Sequence, residues 1–192
     1  MRTAQMLKGA ATAATIAVLG ACGGDGNPTT VPQTCPAGQV GTPPDCRTPC
    51  TQSKVYSDSG GIPGSFVMFD DFSVPDTGRL DVTLDWTNAS SAVGFYLVPA
   101  NTCNTIEDFN ARNCNFLIQS EPSSMKPRKI STPNFSAGNY RWLIANFSEE
   151  QESVSLQIVL SKGDCPALAS VPPSAAERPD APVRNLRSLQ PF

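Results

Sequence analysis

The chain has 192 residues, enough for one domain of ordinary size with tails. Only 16% of them are charged, and 18 prolines with 14 glycines favour turns and extended chain over long helices. The absence of histidine beside seven cysteines excludes Ser-His-Asp and Cys-His catalysis and removes the commonest metal ligand, while a formal charge of −3 gives no basic footprint for nucleic acid.

At the start, Arg2 and Lys8 precede an apolar run over residues 10–19 that ends in Leu19-Gly20-Ala21-Cys22. The run is shorter than the roughly 20 apolar residues a spanning helix needs, so a cleaved leader fits it better than an anchor helix. Leu19 to Cys22 resembles the lipobox of bacterial lipoproteins. The resemblance implies cleavage before Cys22, diacylation of its sulfur and acylation of the new amine. At about 0.8 kcal/mol per buried CH₂, three acyl chains hold a protein on a membrane essentially permanently. Gly23, where Asp would signal inner-membrane retention in enterobacteria, is similar to outer-membrane cargo. Residues 1–21 are thus expected to be a lipoprotein signal peptide, with the membrane as first partner through Cys22 and the outer membrane of the envelope as address. The competing expectation is an ordinary secretory signal with a chance cysteine.

Residues 22–50 are rich in Gly, Pro and Thr and cannot bury enough apolar surface to offset their ordering entropy, so they read as a tether. Cys35, Cys46 and Cys50 argue that its last part is stapled. Residues 51–165 are expected to form the folded domain, and residues 166–192, rich in Pro and Ala, a disordered tail. Within that tail Val183, Leu186 and Leu189 are spaced for a short docking helix on a partner, as the competing expectation.

Between residues 65 and 161 the hydrophobic period is two. Phe66 to Val74 reads as a strand. Leu80, Val82, Leu84 and Trp86 alternate with Arg79, Asp81, Thr83 and Asp85, which places one face inward and one outward. Residues 93–98 are apolar on both parities, as a strand covered on both faces would be. Residues 115–119, 128–132, 140–145 and 153–160 are further strands, and Phe109 with its polar neighbours suggests one helical turn. Turn residues stand between them at 75–78, 88–91 and 137–139. The expected class is all-β: an antiparallel, jelly-roll-like sandwich. Phe72-Ser73-Val74-Pro75, the strand from Gly78 to Trp86, Val93-Gly94-Phe95-Tyr96-Leu97, Ser136-Ala137-Gly138-Asn139-Tyr140 and the 153–160 strand together resemble the bacterial pre-peptidase C-terminal domain. That resemblance covers about half the chain and implies a small jelly-roll-like sandwich. Cys103 and Cys114 in a long central loop depart from it.

With Cys22 acylated, six cysteines remain in an oxidising compartment, which reads as three disulfides. Cys103 and Cys114 bracket one loop. Six cysteines allow 15 pairings, and a bridge within that loop is the expected one; a Cys50–Cys165 bridge would clamp the two ends of the sandwich and leave Cys35 with Cys46. A zinc site on Cys46-x-x-x-Cys50 is the alternative that oxidation disfavours.

Asp70, Asp71, Asp81 and Asp85 are the candidate calcium ligands, on the expectation that Asp81 and Asp85 face outward and the other two approach from a neighbouring strand. A solvated acidic face is the simpler account, and no cofactor is expected. Trp86, Trp142, Tyr96 and the freer Tyr56 are candidate sugar-stacking surfaces, although both tryptophans share parity with inward Leu and Ile. The sequons at Asn88, Asn134 and Asn146 read as polar turns. Glu107, Asp108 and Arg112, on a loop far longer than a simple connection, are candidate contact residues; the competing account has Ile106 and Phe109 merely tucking into the core. The reading is a non-enzymatic envelope lipoprotein whose sandwich serves interaction with an envelope protein or glycan, or structure. A surface-displayed carbohydrate- or calcium-binding module is the alternative, and an enzyme or inhibitor the last.

Overall fold

In the computed structural model, residues 34–166 and 186–188 are described, Glu121 by its backbone alone. The strands are β1 (Thr51–Ile62), β2 (Phe66–Val74), β3 (Gly78–Trp86), β4 (Val93–Pro99), β5 (Ile118–Ser123), β6 (Arg128–Phe135), β7 (Gly138–Asn146), β8 (Glu152–Lys162) and β9 (Arg187–Ser188), with one short helix, α1 (Ile106–Asn110). They form two sheets in the orders β1-β8-β3-β6 and β5-β4-β7-β2-β9. The first eight strands pair antiparallel throughout. This is a jelly-roll sandwich, in which the chain passes from one sheet to the other at nearly every connection and joins neighbours directly only from β4 to β5.

Period-two alternation builds the space between the sheets. Leu80, Val82, Leu84 and Trp86 stand opposite Leu160, Ile158, Leu156 and Val154 across the β3–β8 ladder. Phe95 faces Ile144 and Leu97 faces Trp142 across β4–β7. All of these belong to one buried cluster. Burying a side chain of this kind is worth about 1.5–3 kcal/mol, so this layer dominates stability.

β1 departs from the sequence-based expectation, since it lacks an apolar alternation and was not foreseen as a strand. It is an edge strand, exposed along most of its length and carrying a bulge between Lys54 and Tyr56. Charge and a bulge blunt such an edge against pairing with other chains. Tyr56, expected to lie free before the first strand, sits inside β1. Its ring packs on Phe72 and Trp142 at centroid distances of 5.8 and 5.5 Å, and its hydroxyl donates to Asp70 Oδ2 at 2.9 Å. Burial first, then Asp70, pushes this phenol above its ordinary range.

Among the described residues there are three disulfides: Cys35–Cys46, Cys50–Cys165 and Cys103–Cys114. The first closes a loop that Val40 and Arg47 also bridge through two backbone hydrogen bonds of 2.8 Å. The second joins the start of β1 to the chain just past β8. In the C-terminal tail, Leu186 to Ser188 differ from the expectation: Leu186 is buried and the next two residues pair with β2.

Candidate functional site

The five-stranded sheet is apolar on its outer side as well as its inner one. Val67 and Phe69 of β2, Tyr96 and Val98 of β4, and Leu143 and Ala145 of β7 form a second buried cluster. Gly94 leaves the room this needs, since a Cβ there would meet the Tyr96 ring at 2.9 Å. Such a face demands a cover, and the connection from β4 to β5 provides it. Phe109 of α1 meets Tyr96 edge-on with centroids 5.0 Å apart, and Phe116 closes the group at 5.4 Å from Tyr96. The two parities of residues 93–98 are apolar because β4 is covered on both sides.

The loop is held at each end of α1. Thr105 is the N-cap: its hydroxyl oxygen accepts from the Asp108 amide at 3.0 Å, and its hydroxyl lies 2.8 Å from Asp108 Oδ2 as donor. At the other end Arg112 N–H donates to Phe109 O at 3.1 Å and Asn113 N–H to Asp108 O at 2.9 Å. That pair of bonds is a Schellman motif, whose residue after the cap is left-handed and usually glycine. Here it is Arg112, with φ 57°. Beside it, the Cys103–Cys114 bridge ties the two arms of the loop together. Arg141 then fastens the loop to the sheet. Its guanidinium takes Asp71 in a two-pronged ion pair at 2.7 and 3.1 Å, lies 4.8 Å from the Phe69 ring centroid and donates to Cys103 O at 3.5 Å.

Of the three contact candidates, Glu107 and Arg112 are exposed, while Asp108 is engaged in the cap. Phe109 and Ile106 do tuck inward, but against the outer face of the five-stranded sheet rather than into the end of the main core.

The four aspartates are not brought together. Consecutive strands of a jelly roll lie in opposite sheets, so Asp70 and Asp71 on β2 are in one sheet and Asp81 and Asp85 on β3 in the other. Asp70 accepts from Tyr56, Asp71 pairs with Arg141, and Asp85 lies 3.2 Å from Lys126. Asp81 has the outward parity expected of it but is 1% exposed. Its oxygens accept from Arg79 Nε at 3.0 Å, Ser131 Oγ at 2.6 Å and Ser161 Oγ at 2.8 Å. Among the described residues no group of three His, Cys, Asp or Glu could hold a metal. Cys46 and Cys50, the zinc alternative, belong to two different disulfides.

Trp86, Trp142 and Tyr96 are all buried and present no stacking surface. Asn146, in one of the sequons, is buried; its amide donates to Ile62 O, Pro63 O and Glu150 O, which fixes the turn after β7. Sequence reasoning gives no role to Asn110 or to Glu152. The structure makes Asn110 the clamp on Leu186 and Glu152 a buried carboxylate at the β3–β4 turn. Period-two reading carried a hint for Glu152 alone, since it precedes the alternation of β8 on the inward parity.

No protein-family model matches the chain, and no curated protein matches it in sequence. Among solved structures, a mitogen from Yersinia pseudotuberculosis aligns over 59% of this chain and 97% of its own, at 16% identity and a TM-score of 0.41. The C-terminal CBM6 of LamC, a marine laminarinase from Zobellia galactanivorans, aligns over 56% of this chain and 98% of its own, at 14% identity and 0.31. A carbohydrate-binding module of Cellvibrio mixtus lichenase 5A, solved with cellotriose, covers 58% of this chain and 87% of its own, at 11% identity and 0.29. Likeness of this degree says nothing of what the present chain binds.

Proposed function

We propose that this chain is a non-enzymatic lipoprotein of the bacterial envelope, anchored at Cys22, whose jelly roll holds the bridged β4–β5 loop as a contact surface for an envelope protein. The observation that carries the contact reading is the left-handed backbone of Arg112. A side chain in that conformation costs about 1–2 kcal/mol, and such positions persist where the surroundings over-determine them, often at functional sites. Here the Cys103–Cys114 bridge, the Thr105 cap and the Phe109 anchor hold the loop, while Glu107 and Arg112 stand exposed. A loop already fixed in this way loses little entropy on meeting a partner.

The envelope address is supported by the lipobox resemblance; Cys22 lies outside the described residues. Among the described residues no helix is long and apolar enough to cross a membrane. The lack of histidine supports the non-enzymatic reading. The alternative of a carbohydrate- or calcium-binding module has less support, because Trp86, Trp142 and Tyr96 are inside, half-buried Tyr56 is packed on Phe72 and Trp142, and the four aspartates are separately engaged.

The contact reading is tested by crosslinking in intact envelopes and capturing wild type beside a Glu107→Ala/Arg112→Gly double variant. Loss of the captured species with unchanged melting supports it, and equal capture overturns it. The anchor is tested with Cys22→Ser, which is expected to leave the detergent phase for the soluble fraction; a variant that still partitions with detergent contradicts it.

A further inference from the structure

The described end of the tail makes an organised contact. Arg187 and Ser188 of β9 lie parallel to β2 in register with Phe66 and Val67, and the Arg187 amide donates to Ser65 O at 3.0 Å. Just before them, one side chain holds both backbone polar groups of Leu186. The Leu186 N–H donates to Asn110 Oδ1 at 3.1 Å, and its carbonyl accepts from Asn110 Nδ2 at 3.0 Å. An amide side chain thereby supplies the acceptor and the donor that a neighbouring strand would supply. The Leu186 side chain is 4% exposed, in the cluster with Val67, Tyr96 and Phe109. The Arg187 guanidinium lies 5.9 Å from the Phe66 ring centroid. A sheet edge, a two-point backbone clamp, an apolar socket and an aromatic face for a cation are the parts of a site for an extended peptide.

These contacts all fall on residues 186–188, so a strand from another molecule satisfies them equally. Residues 167–185 separate the docked strand from Pro166, a length that reaches up to roughly 60 Å when extended. Exchange of an identical element between copies is a low-cost route to association, because every contact of the closed form is kept. We propose that the notch between Asn110 and the β2 edge is an acceptor for strand exchange, filled by Leu186–Ser188 of a second copy of this chain. Its ligand class is an extended peptide in which a branched aliphatic residue precedes an arginine. Asn110 is the clamp and Leu186 the anchor.

Two complementary full-length variants in detergent solution test this. Leu186→Asp spoils the donor strand and leaves the notch; Asn110→Ala weakens the notch and leaves the donor. Each alone is expected to sediment as a monomer. Mixed in equal amounts they are expected to form a heterodimer, since the released tail of the Asn110→Ala chain finds the vacant notch of the other. A synthetic peptide of residues 181–192 in excess is expected to dissolve that heterodimer. Two monomers in the mixture, or equal dimerisation of either variant alone, would overturn the proposal. Loss of the near-ultraviolet circular dichroism of Leu186→Asp would overturn it too, because the strand would then belong to the domain's own core rather than to an exchangeable element.

Discussion

Ser91 and Glu152 are buried together beside the β3–β4 turn, and the Ser91 hydroxyl donates to Glu152 Oε1. Oε2 accepts from the Thr87 hydroxyl and the Asn88 N–H. Burial by itself raises this carboxyl, and the hydrogen bonds from Ser91, Thr87 and Asn88 outweigh it, holding the group below its ordinary range. A carboxyl depressed on folding stabilises the fold above its unfolded value, here near 4.5, and that stability is lost as pH falls through the folded value. Glu152→Gln sets an amide donor against donors already in place and is expected to cost about 2–3 kcal/mol at neutral pH. It is also expected to flatten the acid limb of stability against pH. Urea melts of both proteins at neutral and acid pH check this, and parallel acid limbs would contradict it.

Two carboxylates in the same region of sequence should differ greatly in weight on removal. Asp81→Ala leaves Arg79, Ser131 and Ser161 without their acceptor in a nearly closed site, and is expected to cost about 3 kcal/mol. Arg79 also donates to Cys165 O and Pro166 O at 2.8 Å, so the loss should loosen the chain where it leaves β8. Asp76→Ala breaks an exposed pair with Lys162 and is expected to cost less than about 0.5 kcal/mol. Chemical denaturation of the two variants decides whether burial sets the difference.

Asp81 is buried on the side that its parity marks as outward. Its alternation with Leu80 and Val82 correctly gave its side of the strand. What covers that side comes from Ser131 and Ser161, 50 and 80 residues away, and no local pattern contains them. For the same reason the acidic group looked like one site. Proximity in sequence across β2 and β3 becomes separation in space once a jelly roll sends consecutive strands to opposite sheets. Strands β2, β3, β4, β7 and β8 were legible because each carries its burial in its own residues. β1 was not, since an edge strand held by pairing with β8 and by Cys50 needs no apolar stripe. The docking of Leu186 was likewise hidden, being set by Asn110 and an exposed edge rather than by any repeat in the tail.

Within the loop, capping and contact should separate. Asp108→Ala removes half of the Thr105–Asp108 cap and is expected to cost about 1 kcal/mol. Arg112→Gly places at φ 57° the residue best suited to it, and is expected to leave stability unchanged or raise it by up to about 1 kcal/mol. Thermal melts of the two single variants provide the check. A marked loss of stability in Arg112→Gly would mean that arginine is there for the fold.

The bridges should differ in weight according to the chain they close. Cys50–Cys165 spans 115 residues and Cys103–Cys114 only 11. In the chain-entropy description, paired replacement by Ala is expected to cost about 4–5 kcal/mol for the first and about 2–3 kcal/mol for the second. Peptide mapping of unreduced protein is expected to recover the three pairs, and any peptide linking Cys103 to Cys35, Cys46 or Cys50 would contradict the loop as described.

The contact proposed for the bridged loop is open to a direct test. A photoreactive amino acid placed at Glu107, and in a separate protein at Gln157 on the exposed face of β8, tests it in intact cells. Illumination is expected to give a heavier crosslinked species from position 107 and none from position 157. Crosslinking from position 157 alone, or equally from both, would contradict the proposed contact.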